Sequence, residues 1–331
     1  MWGGSRILEH KCDTVWHVNE PGTGPVRPEG QITALRPGDT VAVVAPSGPP
    51  DATLLKRGIE RLEGLGLKVA ASGRVLDRQE LPYLAGSDEG RAADLQAAWC
   101  DPAVSAVFCA RGGYGAARLL GLIDWDAMRA AGPKTLVGSS DITALHHVFG
   151  AELGVPTLHG PMPACDTIAG EGGPEPVSWE NFQAALAGRA PAVTGDRVLA
   201  PGRAEGVLTG GNLSLLASLC GTRHHPSFDG RIVLLEDIGE EPYRIDRMLT
   251  QLLQSGAFDG VRGLVLGSWV DCGDPYPVLR DRLLPLGVPI LAGLPVGHGS
   301  PQLSVWLGAP AVIDTESCSL AGPIRSGEQA R

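Results

Sequence analysis

The hydrophobic pattern opens with Thr40-Val-Ala-Val-Val-Ala45, an unbroken apolar and β-branched run halted by Pro46-Ser-Gly-Pro-Pro50, as expected of a strand buried on both faces. Asp51 is placed to cap a helix in which Leu54, Leu55, Ile59 and Leu62 recur at helical spacing. Gly64 and Gly66 end that helix, and Leu67-Lys-Val-Ala-Ala71 supplies the next strand. The alternation continues with a helix over 88–99, a strand over 104–110, a helix after Arg111-Gly-Gly-Tyr-Gly115 and a strand at 135–137. It predicts an α/β fold with a parallel sheet covered by helices. Parallel strands carry their functional loops at their carboxyl ends, so the loops after Ala45, Ala110 and Val137 are expected to share one edge.

Beyond Cys165 the pattern loosens. Residues 166–202 are rich in Gly, Pro and Ala, include Ala169-Gly-Glu-Gly-Gly-Pro174, and hold one helical stretch over 179–186, which reads as a linker. From 203 to 320 short strands over 231–235, 263–266 and 311–313 interleave with helices over 213–219 and 243–253. The expected organisation is a first domain over 35–165, this linker, and a second α/β domain over 203–320. Residues 1–34, with Pro21-Gly-Thr-Gly-Pro25, read as a loosely attached extension, and 321–331 as a disordered tail.

A chain of 331 residues favours two domains over one. Its 43% hydrophobic and 19% charged residues are ordinary for a globular protein. A net charge of -10 without a lysine-rich run argues against a nucleic-acid groove and for a small-molecule or peptide partner. Cys12, Cys100, Cys109, Cys165, Cys220, Cys272 and Cys318 never form a CxxC pair, so they read as reduced thiols and not as zinc ligands. The amino terminus lacks the pattern of a secretory signal, and no window approaches the ~18 apolar residues of a membrane span. A cytoplasmic protein without membrane contact is expected.

Chemistry is sought at the strand ends. In Thr135-Leu-Val-Gly-Ser-Ser-Asp-Ile-Thr143 a buried strand passes through a glycine into a helix, which would set Ser140 at a helix N-terminus, where backbone N–H groups stabilise an oxyanion. The second glycine of a G-x-S-x-G elbow is missing, so the local pattern by itself fits a helix-capping serine better than a nucleophile. Arg111-Gly-Gly-Tyr-Gly115 can bring backbone N–H groups close to a ligand at the same edge. It reads otherwise as a tight turn or half of a dinucleotide fingerprint. Arg118 stands where that fingerprint wants a glycine and no ribose-binding acid follows, so no cofactor is expected. Ile232-Val-Leu-Leu-Glu-Asp-Ile-Gly239 ends a strand in two acids, suited to orienting a histidine or to capping a helix. His298 lies between glycines in a loop, with His146, His147, His159, His224 and His225 as competitors for a catalytic role.

In order and spacing these segments resemble the LD-carboxypeptidase family of serine peptidases, which includes the microcin C immunity peptidases. The resemblance runs from Leu35-Arg-Pro-Gly-Asp39 through Arg111–Gly115, Gly138–Thr143, His159-Gly-Pro-Met162, Leu208-Thr-Gly-Gly-Asn-Leu213, Leu235–Glu240 and Pro295–His298 to Gly308–Ala311. It implies a flavodoxin-like N-terminal domain, a smaller mixed β/α C-terminal domain, and a homodimer. It also implies Ser140 as nucleophile, Glu236 as triad acid, His298 as general base, and an oxyanion hole from the backbone of Asp141 with Gly112 and Gly113. No metal or cofactor is implied. The expected substrate is a murein tetrapeptide that loses its terminal D-alanine, with cleavage of peptidyl or aminoacyl nucleotides as the alternative and a non-catalytic Rossmann-like binder as the rival from another class. Arg-Ile-Asp-Arg247 after Tyr243 favours the murein branch. Arg244 and Arg247, three apart on one helix, and Asn212 are the candidate substrate contacts, the arginines pairing with nearby acids in the plainer reading. Ser139 departs from the aromatic residue usual beside the family's nucleophile, which bears on the shape of the pocket.

Overall fold

The computed structural model describes residues 32–322. The expected extension, apart from residues 32–34, and the expected tail, apart from 321–322, lie outside the described residues. In chain order the strands are β1 (Thr40–Val44), β2 (Lys68–Ala71), β3 (Val104–Cys109), β4 (Thr135–Gly138), β5 (Thr157–His159), β6 (Val193–Thr194) and β7 (Arg197–Ala200). They continue with β8 (Arg203–Asn212), β9 (Arg231–Ile238), β10 (Gly263–Val270), β11 (Ile290–Ala292), β12 (Val305–Leu307), β13 (Pro310–Asp314) and β14 (Ser319–Ala321).

One sheet has the order β12-β5-β4-β3-β1-β2, and all its neighbours from β2 to β5 run parallel. This is the 2-1-3-4-5 winding of flavodoxin-like folds, whose switch point falls between β1 and β3. The unbroken apolar run of β1 follows from its central place. Val41 and Val43 face a core with Phe108 and Phe182, while Ala42 and Val44 face another with Trp99, Val107 and Phe149. As expected, Asp51 caps the helix Ala52–Glu63, its carboxylate accepting from the N–H groups of Thr53 and Leu54 at 2.8 and 2.9 Å.

The second sheet has the order β6-β14-β13-β8-β9-β10-β11-β7, parallel from β8 to β11 and antiparallel toward both edges. The stretch read as a linker differs from expectation. It holds the helix Pro176–Leu186, which packs Phe182 against Phe108, and both edge strands of the second sheet, β6 and β7. An edge strand is half-solvated and short, so it carries no apolar run to mark it. Likewise β12, from the far end of the chain, returns to pair antiparallel with β5 in the first sheet. No described helix is long and apolar enough to cross a membrane.

Candidate active site

The loops after β1, β3 and β4 meet at one edge, as the winding requires. A single buried carboxylate ties them: Asp141 accepts from Ser47 Oγ at 2.6 Å and from the N–H of Ala116 at 2.8 Å. Its burial raises the Asp141 pKa, and the donors from Ser47 and Ala116 with the charge of Arg91 oppose that. Arg91, itself buried, donates to the carbonyls of Pro46 and Gly115 and pairs with Asp88. Gly48 N donates to Gly112 O at 3.1 Å, closing the gap between the first two loops.

Ser140 occupies the turn from β4 into a one-turn 3₁₀ helix, Ser140–Ile142, that continues as the helix Thr143–Leu153. Its φ of 60° is left-handed, a conformation that costs a non-glycine residue on the order of 1–2 kcal/mol. Neither serine makes a capping hydrogen bond there, so the helix-capping reading does not describe this site. Strand and helix cross so tightly that a Cβ on Gly138 would fall 2.9 Å from the Ile142 side chain. The turn therefore has the tight strand-to-helix shape of the G-x-S-x-G motif, with Ile142 where that motif has its second glycine. Gly112 lies against the serine: a Cβ there would stand 2.8 Å from Ser140 Cβ and 3.1 Å from its Oγ. The N–H groups of Gly112 and Gly113 donate to no backbone carbonyl among the described residues.

The second sheet contributes the other two predicted residues. Glu236, near the end of β9, is fully buried, and His298 Nδ1–H donates to its Oε2 at 2.7 Å. The approach depends on glycine, because a Cβ on Gly297, whose φ is +115°, would meet Glu236 Oε2 at 2.4 Å. Burial works to lower the His298 pKa, but the hydrogen bond to Glu236 and the charges of Glu236 and Asp237 outweigh it, and the net shift is upward. With Nδ1 committed to the carboxylate, Nε2 is the nitrogen left for chemistry.

A short relay of contacts joins the two halves. Asn212 pairs in register with Glu236, and its backbone N–H donates to Thr143 Oγ1 at 2.9 Å, three residues beyond Ser140. His159, in register with Gly138, has its pKa pushed down to about 3 by burial and by the charges of His146 and His298. Ser140 Oγ and His298 are not hydrogen-bonded to each other among the described residues.

The remaining candidates fare differently. Asn212 is buried, and its amide donates to Asp237 Oδ1 at 2.8 Å and accepts from Ser214 Oγ at 2.7 Å and Leu215 N at 3.2 Å, so it braces the helix Leu213–Ser218 while one Nδ2 hydrogen makes no bond among the described residues. Arg244 follows the plainer reading: it lies 3.7 Å from Glu240 and donates to Tyr243 Oη. Arg247, its guanidinium 5.9 Å from the centroid of the Tyr243 ring, makes no ion pair among the described residues. Sequence reading missed Arg197. It borders a cavity of about 580 Å³ walled by Gly299 and Ser300 of the His298 loop, and its guanidinium rests 4.0 Å over Tyr276 without an ion pair among the described residues. No motif marks it, since it sits in the supposed linker.

The two-sheet α/β fold, with Ser140 at a strand end of the first sheet and a His298–Glu236 pair on the second, is that of a serine-type hydrolase. The LD-carboxypeptidase N-terminal domain matches residues 41–160 and the LD-carboxypeptidase C-terminal domain matches 205–313. The chain is 40% identical over 295 residues to a probable murein peptide carboxypeptidase of Bacillus subtilis, covering 85% of this chain and 91% of that one. It is 34% identical to the murein tetrapeptide carboxypeptidase of Pseudomonas aeruginosa, covering 83% and 92% respectively. Among solved structures, microcin C7 self immunity protein MccF in complex with aspartyl sulfamoyl adenosine superposes with a TM-score of 0.79 at 25% identity, covering 90% of this chain and 99% of that one. The chain belongs to the LD-carboxypeptidase family of serine peptidases.

Proposed function

We propose that the protein is a serine carboxypeptidase that hydrolyses an L,D-peptide bond and releases the terminal D-alanine of murein tetrapeptide. The observation that carries this reading is the 2.7 Å bond from His298 to the buried Glu236, set at the edge where Ser140 stands in a strained turn. His298 Nε2 takes the proton of Ser140 Oγ as the oxygen attacks the scissile carbonyl. The N–H groups of Asp141 and of Gly112 or Gly113 hold the oxyanion. The imidazolium, stabilised by Glu236, returns its proton to the leaving amine, and D-alanine departs. Water, deprotonated by the same imidazole, then attacks the acyl-enzyme and frees Ser140.

An exopeptidase must also bind a free carboxylate. Arg247 and Arg197 make no ion pair among the described residues, nor does Arg111 just after β3, and these three arginines are the candidate anchors. The same reading places the enzyme in the cytoplasm, as a homodimer, the location and assembly that the family resemblance implies. Incubating the protein with murein tetrapeptide and detecting D-alanine by mass tests the reaction. Fluorophosphonate labelling of the wild type but not of Ser140→Ala tests the nucleophile. No D-alanine and no labelling would remove the reading. The likeness to MccF supports a second one, hydrolysis of an aminoacyl nucleotide, and an aminoacyl sulfamoyl or phosphoramidate mimic in the same assay decides between them.

A further inference from the structure

The catalytic side chains come from separate sheets, so some contact has to fix how far His298 stands from Ser140. The loop Pro295–Leu303 that carries His298 is closed at its base by Leu303 N donating to Pro295 O at 2.7 Å. One flank is bound to the second sheet: Gly299 N donates to Ser268 Oγ at 3.0 Å, and Ser268 Oγ donates to Val296 O at 3.2 Å. The other flank turns toward the first sheet through a single residue, Gln302. Its Nε2 donates to Ser139 Oγ at 3.3 Å, next to Ser140 in the chain. Its backbone N–H donates to Ser178 Oγ at 2.8 Å and its Oε1 accepts from Thr167 Oγ1 at 3.4 Å. Ser139, Ser178 and Gln302 are all buried. Among the described residues, no other side-chain hydrogen bond joins this loop to the turn holding Ser140.

We infer that Gln302 is a positioning residue: through Ser139 it sets the approach of the His298 imidazole to the Ser140 hydroxyl. Two features make that bond suited to the task. It is buried, so water does not compete for it, and both ends are fixed, Ser139 by the extended strand end and Gln302 by Ser178 and Thr167. It also spans the gap that Ser140 and His298 do not bridge by a bond of their own. Neither Gln302 nor Ser139 takes part in proton transfer. Their effect falls on the geometry of the acylation step, where misplacement by about 1 Å is enough to cost one to two orders of magnitude in rate.

The inference rests on the proposed serine-peptidase reading, and its test keeps the two apart. Gln302→Leu, Ser139→Ala and the double variant are assayed for tetrapeptide hydrolysis and for the rate at which a fluorophosphonate labels Ser140. Each single variant lowers kcat about tenfold and slows labelling in parallel, with KM within about twofold of wild type, and the double variant is no slower than the worse single. Wild-type kcat in the single variants, a loss confined to KM, or a double variant slower by the product of the two losses would overturn it. Should Gln302→Leu fail to fold, Ser139→Ala decides alone, since it removes the same bond by deleting one hydroxyl. Unlabelled and inactive wild type would instead remove the peptidase reading itself.

Discussion

Replacing Ser140 by glycine and by alanine separates the strain of its turn from the chemistry of its hydroxyl. Both variants lack the oxygen, so both are inactive under the proposed mechanism, and what differs is the backbone. At φ 60° an L-residue carries a penalty of about 1–2 kcal/mol that glycine does not. Glycine gives back part of this, about 0.4–1 kcal/mol, because its unfolded chain is freer. The net expectation is that Ser140→Gly is more stable than Ser140→Ala by about 0.5–1 kcal/mol, a factor of roughly 2–5 in the folding equilibrium. In an ordinary helix interior the sign is reversed and alanine leads by about 1 kcal/mol. Urea unfolding of the two proteins followed by circular dichroism reads the difference directly. Alanine equal to or above glycine would show that the turn is unstrained and would remove the elbow geometry from the argument.

Further outcomes follow from the same contacts. The raised His298 pKa means that the acid limb of kcat/KM lies above the ordinary histidine value of about 6.5, because the base works only when neutral. In Glu236→Gln the carboxylate charge is gone while burial remains, so a pH–rate profile shows the limb displaced to lower pH and the plateau reduced by about 10³ or more. Gly297→Ala drives a methyl toward Glu236 Oε2 and separates it from His298, lowering kcat by about two orders of magnitude with a loss of roughly 2–3 kcal/mol in denaturant stability. Burial pushes the pKa of His146 down to about 4, and burial with neighbouring charge pushes that of His159 to about 3. Their unfolded values lie near 6.5, so they leave stability intact above that pH and withdraw it as pH falls from 6.5 toward 4, at about 1.4 kcal/mol per pH unit for each histidine. His159→Leu, which also removes two ring nitrogens that have no partner among the described residues, flattens the acid limb of a stability–pH curve; an unchanged slope refutes this assignment.

Much of the first sheet was legible because it is a parallel sheet covered on both faces. Its strands must read as apolar runs and its helices must cap, as Asp51 does. The second sheet hid more, for a tertiary reason. Strand β8 contains Gly206, Gly210 and Gly211 and looks like a loop, yet a Cβ on Gly210 would stand 2.1 Å from Leu234 O and one on Gly211 would stand 2.6 Å from Thr143 Oγ1. Those glycines record how closely β8 approaches β9 and the Ser140 helix, which no local pattern encodes. The site divides the same way. Ser140 was found at a strand end, but its left-handed φ and the packing of Gly112 against it come from tertiary contacts that no local pattern carries. Gln302 and Arg197 lie in segments without periodicity and acquire meaning only from what they touch.

The two neighbouring acids at the end of β9 argue for different work by Glu236 and Asp237. Asp237 is saturated, accepting from Asn212 Nδ2, Ser214 N and Ile238 N, and its pKa is pushed up to about 6, chiefly by burial. It is consumed in holding strand to helix. Glu236 is more deeply buried, yet among the described residues His298 is its single partner and Oε1 has none. A carboxylate in so dry a place with half its acceptor capacity unused is costly to the fold and gains most from a positive charge beside it. Above the raised pKa of His298 that charge appears, under the proposed mechanism, when the imidazole takes the serine proton. The deficit in the resting protein then becomes stabilisation of the state that acylation has to reach, which is where an interaction raises kcat and not merely affinity.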